Sequence, residues 1–445
     1  MTKDLTTGKA GSTLVKFVLP MFIGVMFQQG YNIADSVIAG KFAGEDALAA
    51  VGASYPITMI FMSIAIGFQS GCSVVISHFF GAKDYRAVRT CISTTLISSL
   101  VISLILSIIG FVTASPLLRL VNTPKNIFVD GLLYLNVYIL GFIFLFLYNV
   151  TTGIFQSLGD SRTPLVFLII SSIGNVLLDY VFVAIFDKGV AGVAWATFIA
   201  QGVACVASLL VLLRRIRNIK SDEKPRLISF GAIRSISSIA IPSIFQLSFV
   251  SVGNMFVQSI VNSFGSSVVA GYSAAIKLNT VAVTSFSTMS NGVSAFTAQN
   301  LGAGKAERIS GGFKSGLILG LSFAAVFFAL FFFIPRPFLS LFMDKDSTEL
   351  ALSTGAQFLQ TVAPFYFFVC IKIICDGVLK GGGAMLHFML ATLTDLILRV
   401  VLAFWFSDLW GAEGIWRAWP LAWIIATIMS YVFYRSGSWK RNYTK

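Results

Sequence analysis

Two aspartates stand in apolar segments in the first half of the chain, each without a basic residue nearby. Asp179 follows Asn175 by four residues, a spacing that puts both side chains on one face of a helix. Asp35 closes a second polar stripe that also contains Gln28, Tyr31 and Asn32. Thr197 adds a hydroxyl at a similar depth in the following apolar segment. We therefore predict a shared polar site.

Carboxylate, amide and hydroxyl oxygens suit two kinds of ion chemistry. Burial disfavours the charged form of a carboxyl group, so such a group can take up a proton. The same oxygens can coordinate a hard monovalent cation. We predict that Asp35, Asn175, Asp179 and Thr197 bind a coupling ion, and the residue types leave H⁺ and Na⁺ both open. Apart from a possible Na⁺ at these four residues, we expect no metal and no cofactor.

The composition places this site inside a membrane. The 445 residues are 56% hydrophobic and only 11% charged, and the mean hydropathy is +0.84. Soluble domains carry about 25% charged residues, so a large soluble domain is excluded. The net charge of +13 falls mainly in short loops, which indicates orientation in a lipid bilayer and not nucleic-acid binding. The five cysteines lie in apolar segments and are predicted to be buried thiols.

Gly, Pro and charged residues divide the chain into twelve apolar segments, each long enough for a transmembrane helix. The fold class that this predicts is an all-α polytopic membrane protein with twelve transmembrane helices. The predicted spans are residues 14–38, 47–80, 88–113, 127–157, 164–186, 190–213, 235–262, 267–300, 309–334, 349–379, 384–407 and 412–434.

The loops predict the orientation. If the N-terminus is cytoplasmic, basic residues of the inside loops outnumber those of the outside loops roughly threefold. We expect a multi-pass protein of the cell membrane with both termini in the cytoplasm. The charge-dense segment 214–230 is the predicted cytoplasmic linker between an N-terminal lobe, residues 1–213, and a C-terminal lobe, residues 231–445.

The two lobes are similar in sequence. Residues 68–82 align without gaps with residues 289–303, and Pro20 in the first span corresponds to Pro242 in the seventh. Since each repeat has an even number of spans, both lobes enter from the same side and are pseudo-symmetric about an axis along the membrane normal. Two six-helix lobes facing each other across a cleft are typical of an alternating-access carrier. Proline removes a backbone hydrogen bond, so Pro20 and Pro242 are predicted to let their helices bend.

The C-terminal lobe carries a different set of charges within its spans. Lys372 with Asp376, and Asp395 with Arg399, are spaced four residues apart and are predicted to form ion pairs. Lys277 has no such partner. When the repeats are aligned on Gly192 and Gly414, Asp179 falls near Arg399. We therefore assign ion coupling to the N-terminal lobe and a larger share of substrate contacts to the C-terminal lobe. The predicted substrate cavity includes Gln28, Tyr31, Asn32, Lys277, Asp395 and Arg399.

Together these residues resemble the MATE (multidrug and toxic compound extrusion) family. The resemblance rests on LPMFIGVMFQQGYNIADSVIAGKFAG in the first span, NVLLD at 175–179, GVAWAT ending at Thr197 in the sixth span, GIWRAWPLAW in the last span, and paired G-A loops after spans two and eight. It covers nearly the whole chain.

The resemblance implies twelve helices in two lobes and export of bulky, often cationic organic compounds in exchange for H⁺ or Na⁺. It also implies that Asp35, Asn175, Asp179 and Thr197 line the ion site of the N-terminal lobe. Some members have an acidic residue in the seventh helix, where this chain has Gln246, which we add to the cavity residues. The partners expected are small organic substrates and the bilayer, and we expect a monomer.

Other functions fit less well. A flippase for lipid-linked oligosaccharides needs unpaired basic residues for a pyrophosphate, and it is the alternative we retain. A major-facilitator carrier would show G-x-L-x-D-R-x-G-R where GAKDYRAVR stands. The GAGKA sequence at 302–306 lacks the remainder of a nucleotide-binding loop. No hydrolase or zinc-protease motif occurs, so we do not expect an enzyme.

Overall fold

The computed structural model describes residues 4–38, 45–219, 224–343 and 348–440, and it describes their side chains except those of residues 33–38 and 45–48. These ranges are almost entirely helical, which confirms the all-α polytopic fold. The helices are α1 Ala10–Ile38, α2 Glu45–Gly81, α3 Tyr85–Leu120, α4 Phe128–Ser157, α5 Arg162–Asp179, α6 Gly189–Arg217, α7 Phe230–Asn262, α8 Ser266–Gly302, α9 Glu307–Phe333, α10 Pro335–Leu339, α11 Glu349–Val362, α12 Tyr366–Gly381, α13 Met385–Trp410 and α14 Ala412–Ser436.

Eleven segments in the described ranges are long and apolar enough to cross a membrane. The helix α8 corresponds to the remaining predicted span. It is 37 residues long, but its many serine, threonine and asparagine residues make it less apolar. The predicted tenth span is one segment, Glu349–Gly381, in which a 3₁₀ turn around Pro364 separates α11 from α12. Proline explains this break because it cannot donate the next helical hydrogen bond.

The chain forms two compact units, and α1 and α7 each contribute to both. The first unit comprises Met1–Asp4 and Ile23–Ile244, and the second comprises Leu5–Phe22 and Phe245–Lys445. In α1 and α7 the change of unit comes two residues after a proline, Pro20 and Pro242 respectively. The lobe boundaries expected from the sequence, 1–213 and 231–445, stay a prediction.

Close helix contacts hold the first unit together. A Cβ on Gly71 would lie 2.7 Å from the backbone oxygen of Ile236 in the first half of α7. The α2 and α4 helices pack through aromatic rings, with the Phe61 and Phe142 centroids 4.9 Å apart. The five cysteines of the chain are buried and free, as predicted.

The second unit is built around α8, which has a largely buried surface. A Cβ on Gly377 of α12 would lie 2.6 Å from the backbone oxygen of Ser290, so glycine permits the close approach of these two helices. The first half of α1 also packs in this unit, where the Val18 side chain lies directly against Gly292 and leaves no room for a Cβ there.

Residues Leu5–Gly8, which we call the N-terminal strap, are bound to the turn between α8 and α9. Leu5 is fully buried, and its backbone N–H donates to Gln299 Oε1 at 3.0 Å. Lys305 Nζ donates to the Thr6 carbonyl at 3.0 Å. Arg308 donates to the carbonyls of Thr7 and Gly8 at 3.1 and 2.8 Å. The strap therefore fixes the start of α1 to the second unit.

Candidate ion and substrate site

The helix α5 has a polar buried face and an apolar exposed face. Ser172, Asn175 and Asp179 are buried and lie three and four residues apart, so they form one stripe. Ile173 and Leu177, on other faces, are exposed apolar side chains. A soluble helix has the opposite arrangement. In a membrane, this pattern turns the apolar side chains to lipid and the polar ones to the protein interior.

Asp179 and Asn175 are the most deeply buried polar groups of this stripe. Asp179 has 0% of its surface exposed and Asn175 has 3%. Neither the Nδ2 nor the Oδ1 atom of Asn175 has a hydrogen-bond partner among the described residues. A buried polar group without a partner costs about 1–3 kcal/mol. Such a residue is typical of a ligand site, because a bound ion can offset that cost.

The backbone changes directly after Asp179. Residues Tyr180–Ile185 form a π-helix, in which the N–H of Phe186 bonds to the carbonyl of Val181. Segments of π-helix are rare and occur frequently at functional sites. Gly192 of α6 approaches this segment closely, since a Cβ there would lie 3.1 Å from the Val183 side chain. The two helices are thus in tight contact just beyond the acid.

A salt bridge fixes the other end of α5. The Asp160 carboxylate accepts hydrogen bonds from the backbone N–H groups of Arg162 and Thr163 and from the Thr163 hydroxyl, and it pairs with Arg215 at the end of α6. Burial raises the pKa of Asp160, but the bonds from Thr163 and Arg215 outweigh burial and lower this pKa below its ordinary value. The α5 and α6 helices are therefore joined at both ends.

The helix α1, which carries four of the predicted residues, packs beside α5 at Gly24. A Cβ on Gly24 would lie 3.4 Å from the Leu168 side chain, so the two helices are neighbours in the first unit. Gln28 and Asn32 are exposed and Tyr31 is half-buried. Asp35 falls within α1, but its side chain lies outside the described residues.

Thr197 lines a small cavity between α4 and α6. The cavity has a volume of about 30 Å³, and Tyr134, Tyr138 and Gln201 line it as well. Such a volume is enough for a water molecule or a small ion and not for an organic compound. Asn175 and Asp179 do not line it, so the structure does not place Thr197 in one cavity with them.

Four polar residues of this region, Ser172, Tyr134, Tyr138 and Gln201, were not predicted. Ser172 extends the α5 stripe by one turn, and its spacing of three from Asn175 was a readable signal. Tyr134 and Gln201 meet only because α4 and α6 pack together, and no local pattern indicates that contact.

One of the two predicted ion pairs of the second unit is confirmed. Lys372 Nζ lies 2.7 Å from Asp376 Oδ2, and both side chains are buried. Lys372 also donates to Thr392 Oγ1 at 3.0 Å, and the Ser430 hydroxyl donates to Asp376 Oδ1 at 2.7 Å. The charges therefore compensate each other within a hydrogen-bonded network.

The other predicted pair is wrong. Asp395 and Arg399 have 8% and 6% of their surface exposed, yet the salt bridges of the described residues do not include this pair. The Arg399 guanidinium instead lies over the ring of Trp419 on α14, with Cζ 4.4 Å from the ring centroid. A spacing of four residues allows two side chains on one helix to form an ion pair. Here the cation–π contact with Trp419 on α14 orients the arginine away from Asp395.

The remaining predicted cavity and bending residues lie on three different helices. Lys277 is exposed on α8, with Nζ 5.6 Å from the Phe342 ring centroid. Gln246 is half-buried in α7, four residues after Pro242. Pro20 lies inside α1.

A family model described as MatE matches residues 20–181 and 242–405. The chain is a member of the MATE family. The match covers most of both sequence repeats, including α5 with Asp179 and most of α13 with Arg399. The protein is thus a multi-pass membrane protein of a multidrug efflux transporter family.

Related proteins and a solved structure are similar over nearly their full length. The probable multidrug resistance protein YpnP of Bacillus subtilis (strain 168) is 27% identical, over 98% of this chain and 97% of the relative. The FAD transporter of Shewanella oneidensis is 26% identical, over 96% of this chain and 95% of the relative. A MOP superfamily transporter from Pyrococcus furiosus Vc1 is 21% identical and covers 97% of each chain with a TM-score of 0.91, which supports the fold.

Proposed function

We propose that this MATE protein is a secondary antiporter that exports bulky organic compounds in exchange for H⁺ or Na⁺. The observation that carries the proposal is the buried polar stripe of α5, with Asn175 and Asp179 at its centre. A carboxyl group inside a membrane-spanning helix is costly and in most cases functional. Membership of an efflux family supplies the class of activity.

In the proposed cycle, the ion enters from outside and binds at Asp35 and Asp179. Protonation or cation binding removes the cost of the buried negative charge, and the Asn175 amide and the Thr197 hydroxyl add oxygen atoms. The π-helix after Asp179 can relax to regular helix and so shift the backbone by a fraction of a turn. Bending of α1 at Pro20 and of α7 at Pro242 couples this change to substrate release.

The proposed membrane orientation is based on the basic residues of the loops. We place the protein in the cell membrane as a monomer with both termini in the cytoplasm, because the basic residues then concentrate inside. The names of the relatives do not narrow the class of exported compound. One relative is named as a probable multidrug resistance protein and another as an FAD transporter.

Transport in proteoliposomes tests the proposal. Purified protein is reconstituted, and efflux of the fluorescent cation ethidium is measured with a pH gradient and a sodium gradient imposed separately. We expect one of the two gradients to drive efflux. Asp179→Asn keeps the shape of the side chain but cannot bind a proton or hold a negative charge, so gradient-driven efflux should be lost.

Ser171→Ala is the matched control. Ser171 is next to the stripe but donates to the carbonyl of Leu168 in its own helix at 3.1 Å, so its removal should leave efflux unchanged. If the Asp179→Asn protein is monodisperse and exports ethidium at the wild-type rate, Asp179 has no part in coupling and the proposal fails.

A further inference from the structure

Arg399 is a buried positive charge without an ion pair to an acid in the described part of the chain. Its side chain is 6% exposed, and its Nε has no hydrogen-bond partner within the described part of the chain. Arginine remains charged in proteins. Lys372, one helix away in sequence, is by contrast paired with Asp376. An uncompensated charge in a membrane interior is costly, so Arg399 requires a partner that carries negative charge.

The depth of Arg399 limits what that partner can be. Arg399 lies 14 residues after the start of α13 and 11 before its end, which corresponds to about 21 and 16 Å along the helix. This is close to the middle of a hydrocarbon core about 30 Å thick. Lipid headgroups lie at the membrane surface, so they do not reach this residue. The anionic group must belong to a compound that enters the protein.

Two tryptophans of α14 offer further N–H donors, and one of them, Trp419, contacts Arg399. Trp419 stacks under its guanidinium, and the indole Nε1 atoms of Trp416 and Trp419 are buried without a hydrogen-bond partner in the described ranges. The two tryptophans are three residues apart, on one face of α14. Within the described ranges, α13 and α14 thus carry three N–H donors without an acceptor, and such donors are suited to the oxygen atoms of an oxyanion.

Asp395, one turn from Arg399, adds an acceptor. Its Oδ1 is buried and has no hydrogen-bond partner among the residues that the structure describes. Arg399 and Asp395 thus present opposite charges on one helix, and neither has an ion pair with a residue that the structure describes. A compound with both a carboxylate and a cationic nitrogen matches the two charges better than a simple cation.

The repeat indicates that this site is the counterpart of the ion site. Alignment of Gly192 with Gly414 brings Asp179 near Arg399. The matching region of the repeat therefore has an acid in one copy and, two residues from the aligned position, a base in the other. This difference in charge is consistent with a cation site in the first repeat and a site for an anionic group in the second.

We propose that Arg399, Trp416 and Trp419 form a subsite in the second unit that binds the carboxylate or phosphate group of the transported compound. The carrier would then select zwitterionic or anionic aromatic compounds over their esterified, purely cationic forms. This inference names the cargo class for the proposed export function and rests on it. Binding to the subsite requires no ion gradient.

A matched pair of dyes tests the subsite. Rhodamine B has a free carboxylate and a cationic xanthene, and its ethyl ester lacks the negative charge and carries one additional ethyl group. Fluorescence polarisation with the purified full-length protein in detergent measures both affinities. We expect rhodamine B to bind at least tenfold more tightly than the ester, a ratio equivalent to about 1.4 kcal/mol. Arg399→Gln should abolish this preference by weakening only rhodamine B binding.

Two further variants separate binding from folding. Arg399→Lys keeps the charge without the planar fork and should retain part of the preference. Trp419→Phe keeps the aromatic ring, removes one N–H, and should reduce the preference. The control is Arg417→Gln. Arg417 also lies over a tryptophan, 5.0 Å from the Trp410 centroid, but it is exposed and paired with Glu413 at 3.0 Å, so the preference should stay.

Equal affinities for the two dyes in the wild type, or no measurable binding of either, would overturn the assignment. A preference that survives Arg399→Gln would also overturn it. A protein that shows the preference but no gradient-driven efflux would refute the antiport function and leave the subsite intact.

Discussion

Leu5→Ala should release the N-terminal strap from the second unit. Leu5 is completely buried, although it belongs to a polar segment ahead of the first helix. Replacement of a buried leucine by alanine costs about 2–5 kcal/mol. The strap is short and can settle into part of the cavity, so we expect about 2–3 kcal/mol, near the low end of that range.

The free energy lost in Leu5→Ala determines how many molecules have an open strap. A loss of about 2–3 kcal/mol raises the fraction of molecules with an open strap about 30- to 160-fold. Trypsin cleaves after Lys9, which is exposed, only when the chain on both sides of the bond is free to enter the protease. If opening is fast relative to cleavage, the cleavage rate follows this open fraction.

The assay is limited trypsinolysis in detergent, with release of the first nine residues followed by mass spectrometry. Arg308→Ala removes two hydrogen bonds to the strap carbonyls. Since these bonds are exposed to solvent, each contributes about 0.5–1 kcal/mol, and cleavage should accelerate less than in Leu5→Ala. Leu120→Ala is the matched control, because Leu120 is 76% exposed.

A cleavage rate for Leu5→Ala within threefold of the wild-type rate would refute this reasoning. It would mean that Leu5 contributes almost nothing to holding the strap. An equal acceleration in Leu120→Ala would show that the assay reports general loosening and not strap release.

Two other substitutions test the structure. Asp160→Asn should lower the unfolding temperature at pH 7, because the charge that pairs with Arg215 is lost. The folded-state pKa of Asp160 lies below the ordinary 3.8, so its contribution is present above that value and is lost as pH falls through the folded pKa. The difference in unfolding temperature between wild type and variant should therefore shrink as the pH falls below 3.8, and a difference that stays constant with pH would contradict this assignment. Gly414→Ala should sharply reduce monodisperse yield in size-exclusion chromatography, because its Cβ would clash with the Phe406 carbonyl oxygen. Gly52→Ala has open space around it and should express normally.

The sequence was sufficient for features that depend on local composition or spacing. Apolar length predicted the helices that cross the membrane, and a spacing of four predicted the pair of Lys372 and Asp376. The stripe at Asn175 and Asp179 was also readable, because a helix places such residues on one face.

Features that depend on contacts between distant segments could not be predicted from the sequence. In the sequence, the strap is an ordinary polar segment. Its contact with Arg308 could not be predicted, because that partner lies about 300 residues away. The preference of Arg399 for Trp419 depends on how α13 packs against α14. The π-helix after Asp179 has no composition signal of its own, since YVFVAI is an ordinary apolar sequence.

The shared membership of α1 and α7 constrains how the gene can be rearranged. Each unit contains about half a helix encoded in the other half of the gene. Two fragments produced by cutting within residues 214–230 would therefore be incomplete as folding modules, and a chimera that joins halves of two relatives would have to match both proline-containing helices. If the repeat arose from a dimer of half-length chains, those ancestral subunits must already have been interlocked through their first helices.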